Sequence, residues 1–203
     1  MARYTGPKTK ISRRYNTFLG GSQKAFEHKQ YPPGQHGPKG ARRKLSDYAI
    51  ALAEKQKLRH QYGVLERQFR RYFQLASNKR GVTGEILLQL LETRLDNVVL
   101  KMGFAKTIRA ARQMVGHGHV QVNGRKASAS SMNLKPGDEI SIKTAERSKR
   151  LAAKAVDQTS ALTTPEWLIV DKENTTGKVV RIPTREEINP IVNEQLVVEL
   201  YSR

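Results

Sequence analysis

Ten residues, GHGHVQVNGR from Gly116 to Arg125, gather the side chains most able to do chemistry. Two histidines alternate with glycines, a short apolar alternation follows, and Asn-Gly-Arg closes the stretch. Three chemistries suit these types: a metal clip, a phosphate-cradling loop, or the reading edge of a nucleic-acid-binding hairpin. His117 and His119 supply two ligands at most, whereas a structural zinc takes four, usually with thiolates among them. The chain has no cysteine, and no His-x-x-x-His or carboxylate cluster flanks the pair. Neither G-x-x-x-x-G-K-[ST] nor G-x-G-x-x-G occurs between a strand and a helix, and there is no Ser/His/Asp elbow or convincing carboxylate pair. No metal, cofactor or catalytic residue is therefore expected.

The nucleic-acid reading needs fewer coincidences. In FAKTIRAARQMV the cations Lys106, Arg109 and Arg112 recur every three residues, along the side of a short helix opposite Ile108, Ala111 and Val115. That helix leads into a hairpin carrying His117, His119, Asn123, Arg125 and Lys126. Glycines at 116, 118 and 124 let backbone amides approach a sugar-phosphate chain. Arginine forks onto phosphate and stacks on a base, while lysine contributes mainly a point charge.

The charge of the whole chain points the same way. Its 203 residues carry a formal net charge of +19, and the excess is graded. Residues 1–80 hold 19 Lys/Arg against 4 Asp/Glu, residues 81–150 hold 12 against 6, and residues 151–203 hold 6 against 8. Such an excess repels itself unless counter-charge arrives, and a polyphosphate is the natural supplier. An anionic membrane would favour a basic helix opposite a broad Trp/Phe/Leu face, yet the single tryptophan, Trp167, lies in the acidic third. No stretch nears the roughly 18 apolar residues of a membrane span, and MARYTGPKTK lacks the apolar core of a secretory signal. A membrane partner is not expected. A DNA-binding architectural protein and an RNA-modifying enzyme using the same hairpin are the alternatives; the first is disfavoured by a single hairpin, the second by the lack of a catalytic domain.

These residues need elements to hold them. Residues 1–44, with LGGS, YPPGQHGPKG and ARRK, show punctuation and charge rather than periodicity, and predict a basic extended arm, ordered or disordered when free. From 45 to 91 the pattern is helical. Leu45, Tyr48 and Leu52 share one face, Gly63 breaks the run, and Leu65, Phe69, Tyr72 and Ala76 form a second stripe beside Arg67, Arg70 and Arg71. GEILLQLLETRLDNVVLKM reads as one Leu-rich helix stopped by Gly103. Residues 92–150 form a small αβ module: the basic helix, two short strands joined at Asn123-Gly124, whose types suit a type I′ turn, and EISIK after Pro136-Gly137. Residues 151–164 are polar, Ala/Lys- and then Ser/Thr-rich, and read as a linker. PEWLIV and GKVVRIP read as short strands, Thr184 and Glu187 have capping-box spacing, and NEQLVVELYSR suits helix or strand. The fold class expected is α+β: a basic extended arm, a helical domain, and an inserted small αβ module with a short β-sheet.

TRLDNVVLKMGFAKTIRAARQMVGHGHVQVNGRK with KPGDEISI resembles the RNA-binding module named after small-subunit ribosomal protein four. YPPGQHG, RRKLSDYAIALAEKQKLRHQYGVLERQFRRYF, GVTGEILLQLLETRLDNVV and NEQLVVELYSR resemble that ribosomal protein family itself, in its bacterial, zinc-free form. The resemblance implies a non-enzymatic, primary binder of small-subunit ribosomal RNA. It implies a clamp on a multi-helix junction of the 5′ domain early in assembly, nucleation of the subunit body, contact with ribosomal protein five, and a place near the channel where messenger RNA enters, with a part in translational accuracy. It also implies that a C-terminal segment from 165 to 203 returns to complete the helical domain, with helix over 194–202. The RNA-facing residues carried over by position fall on three stretches. In the arm they are Arg3, Lys8, Lys10, Arg13, Arg14, Gln35 and His36. In the helical domain they are Arg42, Arg43 and Lys44, which also line the messenger entrance, then Lys55, Lys57, Arg59, Tyr62, Arg67, Arg70 and Arg71. In the module they are Lys106, Thr107, Arg109, Arg112, Gln113, His117, His119, Asn123, Arg125 and Lys126. Two departures stand out. Relatives that hold zinc in the arm use cysteines where Thr9, Ser12 and Lys24 stand here, so RNA contacts alone are expected to order the arm. Relatives also often have arginine where this chain has Ile108, with a small residue next, where Arg109 stands here.

Overall fold

The stretch read in the sequence as an extended arm, 1–44, and the one read as a linker, 151–164, both carry helix in the computed structural model of the protein, which describes residues 3–40, 44–159, 161, 163–188 and 191–202. The chain divides into two units, Met1–Ile86 with Pro190–Arg203, and Leu87–Asn189.

In the first unit the arm contains α1 (Lys8–Tyr15), α2 (Gln23–His28) and α3 (Gly37–Gly40). Local chemistry explains the departure from an extended arm. Asn16 adopts the left-handed conformation at φ 48° and closes α1, its N–H directed at the Arg13 and Ser12 carbonyls. Ser22 caps α2 by accepting from the Ala25 N–H. The arm meets α4 (Asp47–Gln61) through His60, whose ring lies 5.3 Å edge-on to Tyr4 and 6.4 Å from Tyr15.

Helix α4 starts at the Ser46 cap, with Asp47 in its first turn. Its buried face is Ala51, Lys55 and Leu58. The face expected from Leu45 and Tyr48 is instead turned outward, at 57% and 58% exposure. Helix α5 (Glu66–Ser77) buries Phe69, Tyr72 and Ala76 and leaves Arg67, Arg70 and Arg71 exposed. The C-terminal α10 (Glu194–Ser202) packs against α4. Tyr201 stacks on Phe73 at 4.7 Å between ring centres and donates its hydroxyl to Glu66 Oε1 at 2.8 Å.

The single Leu-rich helix expected over 83–102 is two helices, α6 (Thr83–Glu92) and α7 (Leu95–Lys101). Arg94 between them is extended, at φ −64° and ψ 138°, and pairs with Asn133 as an isolated bridge. Leu95 N–H donates to the Met132 carbonyl and Leu134 N–H to the Thr93 carbonyl. In the second unit α8 (Ile108–Gly116) precedes β1 (Val120–Val122), β2 (Arg125–Ala127) and β3 (Glu139–Ile142). Then come α9 (Glu146–Gln158), β4 (Leu168–Asp171) and β5 (Thr176–Val179). The sheet runs β2-β1-β3-β5-β4, antiparallel throughout. Val120 faces Ala127 and Ile142 across the strands, and with Ile140, Leu168 and Val179 these residues bury one face of the sheet in a core shared with Leu95, Val99, Phe104, Met114 and Trp167. Asn123 and Gly124 have φ of 51° and 75°, both left-handed as a type I′ turn requires.

The sequence-based boundaries change accordingly. Helix α9 replaces most of the expected linker: Ala152 in it is fully buried, and the Thr159 hydroxyl after it donates to the Gly103 carbonyl at 2.7 Å. Residues 165–188 join the second unit through β4 and β5, and only 190–203 returns to the first.

The docking of the arm on His60 carries a pH dependence. Burial, then the nearby Arg59 and Arg14 charges, push its pKa from 6.5 to about 4. With the arm released, the imidazole takes a proton near its ordinary value; with the arm docked, it resists. Docking is thus complete above the ordinary value and weakens as pH falls from 6.5 toward about 4. Amide exchange over residues 8–40 of the free protein should be faster at about pH 5 than at about pH 7.5 after correction for intrinsic rates, and His60→Gln should abolish the difference.

Candidate nucleic-acid interface

Helix α8 begins where Thr107, in extended conformation, accepts from the Ala110 N–H at 3.2 Å. Thr107 therefore serves as an N-cap. The helix buries Ala111, Met114 and Val115 and exposes Arg109 and Gln113, with Lys106 exposed just before it. Arg112, expected to join that outer row, turns toward Asp96. Its Nε and Nη2 donate to Asp96 Oδ2 at 2.9 and 2.6 Å. Arg94 Nε and Nη2 occupy the same carboxylate at 3.0 and 2.8 Å. Asp96 and Arg94 side chains are 0% and 2% exposed, and Arg112 only 17%. Arg112 is thus the second guanidinium of a buried triad that ties α8 to α7.

The hairpin after α8 sorts its polar residues in the same manner. Asn123 Nδ2 donates to Asp138 Oδ1 at 2.8 Å, and Asn123 Oδ1 accepts from the Glu139 N–H at 2.9 Å. It shapes the turn. Arg125 and Lys126 beside it are exposed. Lys126 lies across Gly118, where any Cβ would collide with its side chain. His117 is exposed, while His119 Nδ1 lies 2.9 Å from the hydroxyl of the buried Ser148. The two rings are 6.1 Å apart, and no cluster of metal-ligating side chains occurs among the described residues. The module therefore presents Lys106, Arg109, Gln113, His117, Arg125 and Lys126 outward; Thr107 and Asn123 are exposed too while shaping a cap and a turn, and Arg112 and His119 hold the elements from within.

The first unit divides similarly. Arg3, Lys10, Arg14, Gln35 and His36 are exposed and Lys8 half-buried. Arg13 is engaged within the arm: its Nε donates to the Tyr31 carbonyl at 3.1 Å, and its guanidinium lies 4.9 Å over the Tyr31 ring. In α4, Lys55 Nζ is 2.7 Å from Glu66 Oε1 and Lys57 Nζ 2.6 Å from Glu54 Oε1. Arg59 reaches His60 Nε2 at 3.1 Å, and Tyr62 is 2% exposed, a core residue. The Lys55 and Tyr201 partners of Glu66 outweigh its desolvation and hold its pKa below the usual carboxylate range. Of the residues expected to face RNA in the helical part, Lys44 and the Arg67, Arg70 and Arg71 set are exposed; Arg42 and Arg43 lie outside the described residues.

The zinc-bearing pattern of some relatives does not fit this arm. Ser12 is fully buried, and its hydroxyl donates to the Gly20 carbonyl and accepts from the Leu19 N–H, both at 3.1 Å. Thr9 and Lys24 are no thiolates. The Ser12 and Arg13 bonds fasten the arm from inside, which corrects the expectation that RNA contacts alone order it.

One cationic group escaped the sequence reading because it spans the end of the expected module and the start of the expected linker, where no helix was expected. Lys143 is exposed just after β3, and Arg147, Arg150 and Lys154 are exposed on α9. The one signal available was the helical spacing of Ser148, Ala152 and Val156, a weak one because only Val156 among them is a sizeable apolar side chain.

Comparison with known proteins identifies the relatives of this chain. Residues 3–92 match the model of the ribosomal protein S4/S9 N-terminal domain, and residues 93–140 that of the S4 domain. The chain is 55% identical over 203 residues to small ribosomal subunit protein uS4 of Akkermansia muciniphila, and 55% identical over 203 residues to that of Opitutus terrae. It is 53% identical over 204 residues to uS4 of Persephonella marina, and in all three cases the match covers 100% of both chains.

The triad generates a stability prediction. Asp96→Ala leaves two guanidinium groups without their buried counter-ion and should cost about 3–5 kcal/mol in urea unfolding. Arg125→Ala, at an exposed site, should stay within about 0.5 kcal/mol of the parent. Similar midpoints for the two variants would remove the triad from its supporting role.

Proposed function

The chain belongs to the family of small ribosomal subunit protein uS4, and from that premise we propose that it is a primary binder of small-subunit ribosomal RNA. As a member of that family it is a structural component of the small ribosomal subunit and not an enzyme. The observation that carries the RNA reading is the segregation of cations. Where a lysine or arginine of α4 or α8, or Arg94 before α7, has a carboxylate partner, the pair is half-buried or buried; Arg67, Arg70 and Arg71 on the outer face of α5, and Arg125 and Lys126 on the β1–β2 hairpin, make no ion pair with a described residue. Exposed guanidinium groups held by rigid elements suit phosphate, and the left-handed Asn123-Gly124 turn lets backbone come close to it.

In this reading the two units engage a multi-helix junction of the 5′ domain early in assembly and nucleate the subunit body. Lys44, with Arg42 and Arg43, faces messenger RNA near the channel where it enters, which gives the chain its part in translational accuracy. Contact with ribosomal protein five falls to the acidic third. That assignment is supported by Ile169 on the edge strand β4 and by Val180 and Ile182 just after β5, apolar residues that are 63%, 45% and 47% exposed, since RNA offers little to such side chains.

The test is affinity for the folded 5′ domain of small-subunit ribosomal RNA against a length-matched RNA duplex and a DNA duplex, at two salt concentrations. The domain RNA should keep its advantage as salt rises; equal ranking of the three, with a log–log slope of roughly −0.7 to −0.9 per phosphate contact, would reduce the protein to a general polyanion binder. Arg125→Ala with Lys126→Ala should weaken binding to the domain RNA by about 1–3 kcal/mol, the scale of charged hydrogen bonds.

A further inference from the structure

Helix α9 carries a row of cations that the assignments above leave without a ligand. Arg147, Arg150 and Lys154 are exposed and, at steps of three and four residues, share one side of the helix. The opposite side, Ser148 and Ala152, is buried. None of the three side chains makes an ion pair or hydrogen bond with a described residue. Their self-repulsion is the cost of placing three like charges along about 10 Å of helix axis.

The helix is fastened beside the hairpin. Ser148 Oγ lies 2.9 Å from His119 Nδ1, the Lys143 N–H donates to the His119 carbonyl at 2.8 Å, and α9 packs on β3. Lys126 crosses Gly118, the residue before His119. Arg147 is the immediate neighbour of Ser148, so the α9 row begins at the flank of the hairpin and extends its cationic edge.

We propose that α9 is a second RNA-binding surface of the module, on which Arg147, Arg150 and Lys154 take phosphates of the sugar-phosphate backbone that the hairpin engages. This rests on the reading of the chain as a ribosomal RNA binder. A phosphate backbone is the occupant the surface fits: it supplies negative charge at regular intervals along a line, and it needs no apolar pocket, of which this side of α9 has none beyond Leu151, 45% exposed. Its recognition is by charge and spacing, without readout of base identity.

The experiment uses the full chain and the folded 5′ domain RNA, with affinity measured across a salt series. Arg147→Gln with Arg150→Gln is compared with Lys172→Gln with Lys178→Gln, which removes the same charge from the β4–β5 hairpin. Glutamine preserves helix propensity, and thermal melting verifies that both variants are folded. The α9 double should flatten the log–log slope by about 1.4–1.8, at 0.7–0.9 per phosphate lost, while the β4–β5 double leaves it nearly unchanged. Equal shifts in the two doubles, or none in either, would overturn the proposal, as would an acidic protein segment protecting α9 in place of RNA. A parent chain without preference for the domain RNA would defeat the ribosomal RNA reading first. A preference retained with an unmoved α9 slope would defeat this inference alone.

Discussion

Asp96 places a carboxylate where no solvent reaches it, and burying an unpaired charge would cost several kcal/mol. Two guanidinium groups make the position tolerable, and satisfying both of them dictates the geometry around them. Arg94 must leave the helical path to reach the carboxylate, which is why α6 and α7 are separate helices with an extended residue between them. Arg112 must come from α8, sixteen residues on, which fixes the α7–α8 packing. The outward cations Lys106 and Arg109 then occupy set positions because the same helix is held from behind. The triad thus turns a flexible basic segment into a rigid one, and rigid positioning is what lets charge contribute specificity besides affinity.

The same division runs through the first unit. Glu66 accepts from Lys55 and Tyr201, and Glu54 from Lys57 and the Asn193 N–H. These carboxylates knit α10 and α5 to α4. A chain with a net charge of +19 has few acidic residues, and several of them are spent on internal architecture, so cations elsewhere remain uncompensated. The excess positive potential and the stability of the folded chain therefore have a common origin, and a polyanionic partner supplies the missing counter-charge.

Much of this was legible in the sequence where the cause is local. Asn123-Gly124 specified its turn, the Phe69, Tyr72 and Ala76 stripe specified the buried side of α5, and Gly103, at φ +81°, ended α7. The spacing of Thr184 and Glu187 also held: Glu187 accepts from the Thr184 N–H at 2.8 Å, although the motif closes a turn rather than starting a regular helix. What was not legible depends on partners distant in the chain. Nothing next to Lys55 announces Glu66, and nothing next to Arg112 announces Asp96. A cation spaced to face outward can still be drawn inward by such a carboxylate. Helix α9 was missed for a different reason: its buried side is built of Ser148 and Ala152, side chains too small and too polar to register as a hydrophobic stripe.

The arm shows how far small polar contacts can stand in for a stronger crosslink. Where relatives use a metal, this chain has Ser12, buried and bonded in both directions across the turn that follows α1, and Arg13 reaching the Tyr31 carbonyl from the far side. Hydrogen bonds of this kind contribute modestly each, since water competes for the same groups in the open state. A metal clip would hold the arm whether or not it is docked; these bonds hold it best when water is excluded. Contact of Tyr4 and Tyr15 with His60 provides that exclusion on one side, while Arg3, Lys10 and Arg14 remain exposed to an anionic partner. The order of the arm is consequently coupled to what covers it, a coupling that a preformed metal site would not have.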